Sequence, residues 1–190
     1  MVSVPFSASL RIQRGTSLLE VLITIVILAI GLLGLAGLQS RLQASEMEAF
    51  QRAQALVLLN DMASRVATNR ANAPNYATDT AAPLGAGMTC SADTSTRALA
   101  DLSEWCNALQ GASETSGGSN VGAMLGGRGC VEDLGAGSYR VTVAWQGLVP
   151  AVAPAGLACG QNSYDTAGAA CSGDRCRRAI STIVRIATLS

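Results

Sequence analysis

Histidine and lysine are missing from this chain: its 190 residues carry 13 basic side chains, every one an arginine, against 13 acidic ones. Without histidine, neither a Ser-His-Asp triad nor a Cys-His nucleophile pair can be assembled, and imidazole metal sites are excluded. Carboxylates alone remain as general acids and bases, which leaves an enzyme little chemistry to work with. The formal charge of +0 nominates no nucleic acid and no acidic partner. Proline is missing between Thr16 and Ala73, so nothing interrupts a helix there. Cysteine is missing from the first 89 residues.

The six cysteines that do occur are Cys90, Cys106, Cys130, Cys159, Cys171 and Cys176. An even number confined to one part of the chain points to disulfides formed in an oxidising compartment. The rival reading is a four-thiolate zinc site, but Cys171 and Cys176 lack the second close pair such a site uses. No metal and no cofactor is therefore expected. Fifteen pairings are possible for six cysteines. Cys90 with Cys106 and Cys171 with Cys176 are guesses from proximity.

The N-terminus, MVSVPFSASLRIQRG, has Arg11 and Arg14 as its only charges. From Thr16 to Leu38 the single charge is Glu20. A helix over that span is about 35 Å long, enough for a hydrocarbon core of about 30 Å. Between Val21 and Leu38, twelve residues are Val, Ile or Leu, together worth about −4 to −7 kcal/mol of insertion. One carboxylate near the end costs at most about 3 kcal/mol, so insertion wins. The arginines ahead of the span hold the N-terminus in the cytoplasm and send the remainder outward, in agreement with the cysteines. A cleaved signal peptide is the alternative; the apolar run is too long for one, and Glu20 lies within it.

Beyond the apolar span, Leu38, Leu42, Ala49, Ala53, Leu56, Leu59, Ala63 and Val66 recur at helical spacing and predict one apolar stripe. Asn69, Asn72 and Pro74 supply stop signals. One helix of about fifty residues, roughly 80 Å long, is the simplest reading.

The string Arg14-Gly15-Thr16-Ser17-Leu18-Leu19-Glu20-Val21-Leu22, running on into ITIVILAIGLLGLAGLQ, resembles the class III signal of type IV pilins and pseudopilins. The resemblance implies that a prepilin peptidase cuts between Gly15 and Thr16 and methylates the new amine of Thr16. Phenylalanine is the commonest residue at that position of the family, and threonine departs from it. Glu20 would be the glutamate five residues into the mature chain, acting in assembly and register. Gly15 suits a scissile peptide that must leave the helix, since it has no side chain and adopts conformations closed to other residues. Gly31, Gly34 and Gly37 lie three apart, where small residues allow close helix packing, although glycine is also common in membrane helices; the two readings stand equally.

Downstream, residues 74–96 read as a surface loop, Arg97–Leu109 as a helix with Leu99, Leu102, Trp105, Cys106 and Leu109 on one face, and 110–120 as a flexible connector. Tyr139–Gln146 alternates as a half-buried strand, with Tyr139, Val141, Val143 and Trp145 inward. Residues 147–176 read as a Gly/Ala/Pro loop and Arg177–Thr188 as a last strand, with Val121–Leu125 and Cys130–Asp133 as candidate short strands or edges. Arg175, Arg177 and Arg178 read as a solvated strand edge.

The expected fold is α+β, the type IV pilin fold, with a long N-terminal helix packed on a small antiparallel sheet. The expected organisation is a leader over 1–15, a transmembrane and filament-core helix over 16–38, its amphipathic continuation over 39–73, and a periplasmic or extracellular head over 74–190. Major pilins usually have a proline in the N-terminal helix and end in a cysteine-bounded loop; this chain has neither, and further similarity is to minor pilins. That resemblance implies assembly with other minor pilins and the major pilin through the N-terminal helix. The inner membrane, the prepilin peptidase and the pilus assembly platform would be its other partners, with no nucleic acid. The alternatives are a minor pseudopilin of a type II secretion system and a single-pass anchored envelope enzyme.

Overall fold

The computed structural model describes residues 17–112, 115–120, 122, 124–168 and 170–187. Helix α1 runs Leu18–Thr68 and is followed by a 3-10 helix, Arg70–Tyr76, then β1 (Leu84–Gly85), α2 (Arg97–Leu109), β2 (Thr115–Ser116), β3 (Ser119–Asn120), β4 (Arg128–Asp133), β5 (Ser138–Gln146) and β6 (Arg177–Arg185). The chain falls into two compact units, one ending at Gln43 and the other beginning at Ala44.

In the first unit, every Leu, Ile and Val from Leu18 to Leu38 is exposed. The unbroken apolar sequence gives a helix through propensity and local hydrogen bonds, and among the described residues nothing covers Leu18–Leu38.

The second unit has the core. Along α1 the buried residues are Gln51, Ala55, Leu59, Met62 and Val66. The expected stripe was therefore displaced: Leu59 and Val66 are inside, Ala63 is half-buried, and Leu42, Ala49, Ala53 and Leu56 face outward. Apolar residues lie on more than one face of this helix, so periodicity alone does not identify the face that packs. Ala55, Leu59, Met62 and Val66 join Trp105 and Leu109 of α2, Val131 of β4, and Tyr139, Val141, Val143 and Trp145 of β5 in one cluster.

Four strands form an antiparallel sheet in the order β1-β4-β5-β6, with Cys130 opposite Thr142 and Val143 opposite Ile180. Strand β5 departs from a half-buried pattern, because Thr142 and Ala144 are fully buried along with Val141 and Val143. The 147–176 loop covers that second face. Cys159 reaches it through its disulfide to Cys130, and a Cβ on Gly160 would lie 3.3 Å from that of Ala144. The Tyr164 hydroxyl donates to the Gly126 carbonyl at 2.9 Å.

The other disulfides join Cys90 to Cys106 and Cys171 to Cys176. The last strand ends at Arg185, and Thr188 lies outside the described residues. Of Val121–Leu125, Gly122, Met124 and Leu125 are not in a strand, and Val121 and Ala123 lie outside the described residues. The connector holds a hairpin, β2 with β3, turned by Gly117 and Gly118, both at positive φ as a primed turn requires. The predicted α2 has the expected bounds, and its inner face is Ala98, Asp101, Trp105, Cys106 and Leu109, with Leu99 and Leu102 half-buried.

Asp101 is the buried charge on that face, 2% exposed. It accepts hydrogen bonds from the Tyr76 hydroxyl, Arg65 (2.8 Å) and Arg97 (3.2 Å). Arg65 also pairs with Asp61 at 3.0 Å and Glu104 at 2.7 Å, tying α1 to α2. Burial pushes the Asp101 carboxyl upward, but the bonds from Tyr76, Arg65 and Arg97 outweigh it and hold the group below its ordinary range. A carboxyl depressed in the folded state contributes its full stability above the unfolded value of about 4 and loses it as pH falls through the lower folded value. Asp101→Asn should therefore cost about 2–3 kcal/mol at pH 7 and flatten the acid side of the stability curve, as followed by thermal unfolding.

A long N-terminal helix and a small antiparallel four-stranded sheet make this an α+β chain, as the type IV pilin fold requires.

Candidate functional site

The chain enters α1 through Ser17. Its hydroxyl accepts the Leu19 amide at 3.2 Å, and its carbonyl accepts the amides of Glu20 at 2.9 Å and Val21 at 3.3 Å. Ser17 thus acts as the N-cap, and Glu20 follows it by three residues at the acidic position of a capping box. Sequence reading missed this second role for Ser17-Leu18-Leu19-Glu20, although the S-x-x-E spacing was there to find. Glu20 is an acid in the first turn, where the helix dipole favours negative charge. Its side chain is exposed, in a neighbourhood that otherwise offers Leu18, Leu19, Val21 and Leu22.

Thr24 turns its hydroxyl back to the Val21 carbonyl at 2.8 Å, which keeps that polar group satisfied within the helix itself. Gly31, Gly34 and Gly37 are helical and exposed, and a Cβ built on any of them meets nothing within 4 Å. At about 100° per residue the three drift over roughly 120° of the helix surface. They open a broad, shallow face rather than one narrow seam. Gly15 and Thr16, the residues of the expected cleavage and methylation, lie outside the described residues.

The remaining named residues are in the second unit. The six cysteines are all in disulfides, so the four-thiolate zinc arrangement is not formed. Among the described residues no group of three or more metal-ligating side chains comes together. The arginine cluster differs from the solvated edge expected. Arg177 is 1% exposed, bound to Asp174 and donating to the carbonyls of Cys159 (3.1 Å) and Pro154 (3.2 Å). Arg178 pairs with Glu48 of α1 at 3.2 Å, and of the three only Arg175 is exposed. Carbonyls of a loop without regular structure recruit Arg177, which no local pattern could have announced.

The family described as the prokaryotic N-terminal methylation motif matches residues 10–36, a stretch that takes in Gly15, Thr16, Ser17 and Glu20 and ends in the apolar helix. No curated protein and no solved structure matches the chain significantly. The motif supports a pilin or pseudopilin, and it implies processing by a prepilin peptidase and assembly with other pilins. With the long apolar helix it fits a membrane-anchored structural protein rather than an enzyme.

Proposed function

We propose that this chain is a minor pilin of a type IV pilus, held in the inner membrane and then incorporated in the priming or tip complex from which the filament grows. The observation that carries the reading is the methylation motif over residues 10–36 running into an apolar helix exposed on every face. The segments VILAIGLLGLAGLQ, LVLLNDMASRVATNRANAPNY and YRVTVAWQG and the helix around Asp101–Trp105 resemble the minor pilin PilV, and the finer part of this reading rests on that resemblance.

In this reading the peptidase cuts after Gly15, and the freed amine of Thr16 is methylated. Cutting on the cytoplasmic side of the apolar span leaves the helix on the mature protein, which a conventional signal cleavage would remove. Glu20 then meets that amine, on its own chain or on a neighbour, as subunits leave the bilayer. Gly31, Gly34 and Gly37 give neighbouring helices room to approach. Other minor pilins, the major pilin and the assembly platform are the partners, and the disulfide-bonded head faces the periplasm and then the cell surface. Pilus-dependent twitching, adhesion or DNA uptake would follow from assembly.

Deleting the gene tests the reading against a secretion pseudopilus. Loss or strong reduction of surface filaments with undiminished export of folded proteins supports a pilus role. Intact filaments with blocked export would contradict it in favour of a minor pseudopilin.

A further inference from the structure

Strand β6 stands at the edge of the four-stranded sheet, with β5 as its neighbour. At one end of their ladder the Gly147 amide donates to the Cys176 carbonyl at 2.7 Å, and at the other the Ile186 amide donates to the Gly137 carbonyl at 2.8 Å. Bonded and non-bonded pairs alternate along an antiparallel ladder. The register therefore turns the backbone groups of Arg178, Ile180, Thr182 and Val184 toward β5. Those of Ala179, Ser181, Ile183 and Arg185 point away from the sheet. Among the described residues nothing hydrogen-bonds these outward amides and carbonyls.

Proteins usually blunt such an edge with proline, charge, a bulge or shortness. Here the ladder runs from Arg177 to Arg185 without a bulge, and Ala179–Val184 contains neither proline nor charge. Ile183, beside the free backbone, is 51% exposed.

A second copy is a poor occupant. Antiparallel self-pairing over the whole strand brings Arg185 of each copy to the end where the exposed Arg175 of the other stands, and like charges brought together across a strand pair are destabilising. The sheet's other edge, β1, offers a strand of only two residues, so head-to-tail stacking pairs little backbone. The charge pattern favours a different occupant. Arg175 before the strand and Arg185 at its end are exposed and make no ion pair among the described residues, while Arg178 is already matched by Glu48.

We propose that the free edge of β6 receives an extended segment of another protein as an added strand, uncharged and rich in β-branched residues at its centre and acidic at both ends. Backbone bonds to Ala179, Ser181 and Ile183 hold it, and Arg175 and Arg185 set its charge preference.

The test uses the full chain in detergent micelles and two synthetic peptides, Asp-Val-Thr-Ile-Thr-Val-Asp and the same centre with lysine ends. Binding is read by fluorescence anisotropy, and hydrogen exchange is followed at the three outward amides. The acidic peptide should protect Ala179, Ser181 and Ile183 and bind at least about tenfold tighter than the lysine one. Ser181→Pro removes one outward donor without touching the ladder to β5 and should weaken binding about tenfold. Arg185→Glu, which leaves the backbone alone, should narrow or reverse the preference between the peptides and covers the case in which the proline variant misfolds. Equal binding of the two peptides overturns the proposal, as does unprotected exchange at the three amides. A dimer of the unliganded chain that Ser181→Pro abolishes would also overturn it, by making a second copy the occupant.

Discussion

Glu20→Ala is expected to reduce incorporation of the chain into sheared filaments at least about tenfold while leaving leader cleavage and membrane insertion intact. Insertion persists because Val21–Leu38 supplies about −4 to −7 kcal/mol without it, and removing a carboxylate only helps. Incorporation falls because an ionised carboxylate in apolar surroundings must be paired, and the partner it would meet is a terminal amine created by cleavage. A tenfold change needs only about 1.4 kcal/mol, less than a close ion pair in a low-dielectric environment supplies. Glu20→Gln keeps the shape and the helix position, so it separates charge pairing from capping of the first turn: pairing predicts that Gln fails as Ala does, whereas a capping role lets Gln substitute. Immunoblots of sheared filaments against whole cells give the ratio directly, and unchanged incorporation of both variants would refute the role assigned to this residue.

The largest stability effect is expected in the head, at Trp105. This side chain is fully buried, and its indole N–H donates to the Leu58 carbonyl at 2.9 Å, which fixes α2 against α1. The ring lies over β4 at Gly129, where a Cβ would come within 2.3 Å of it. Trp105→Ala removes the largest of the fully buried side chains and leaves a cavity in the cluster of Leu59, Met62, Leu109 and Val131. Such a deletion costs about 4 kcal/mol, a large share of the 5–15 kcal/mol typical of a domain. The melting temperature should fall by roughly 10–15 °C. Trp105→Phe, which keeps most of the ring and loses the donor, should cost only about 1–2 kcal/mol. Circular dichroism melts of the purified chain provide the comparison.

These two residues show where the sequence was informative. Trp105 was placed on the inner face of a helix over Arg97–Leu109 by spacing alone, and β5 was placed by its alternation, because both elements are amphipathic and short. The stripe on α1 was harder. Leu56 and Ala53 are as apolar as Leu59 and Ala55, so composition could not say which side the sheet would take, and the sheet took the side with Gln51 and Met62. Asp101 was invisible as a core residue because two of its three partners, Arg65 and Tyr76, are distant in sequence, and Arg97 four residues earlier on α2 does not by itself make its burial tolerable. The second covered face of β5 was equally hidden: it depends on Cys159 crossing to Cys130, and fifteen pairings were open. At the N-terminus, by contrast, an ordered run of local features, from Arg14 and Gly15 through Glu20 into the apolar helix, made the candidate site legible without any tertiary contact.

Intact mass of the protein purified from its native membrane or filaments addresses the whole account most directly. The account predicts a chain that has lost Met1–Gly15, begins at Thr16 with one added methyl group, and has all six thiols oxidised. A chain that still begins at Met1, or that begins beyond Leu38 with the apolar helix removed, would contradict it.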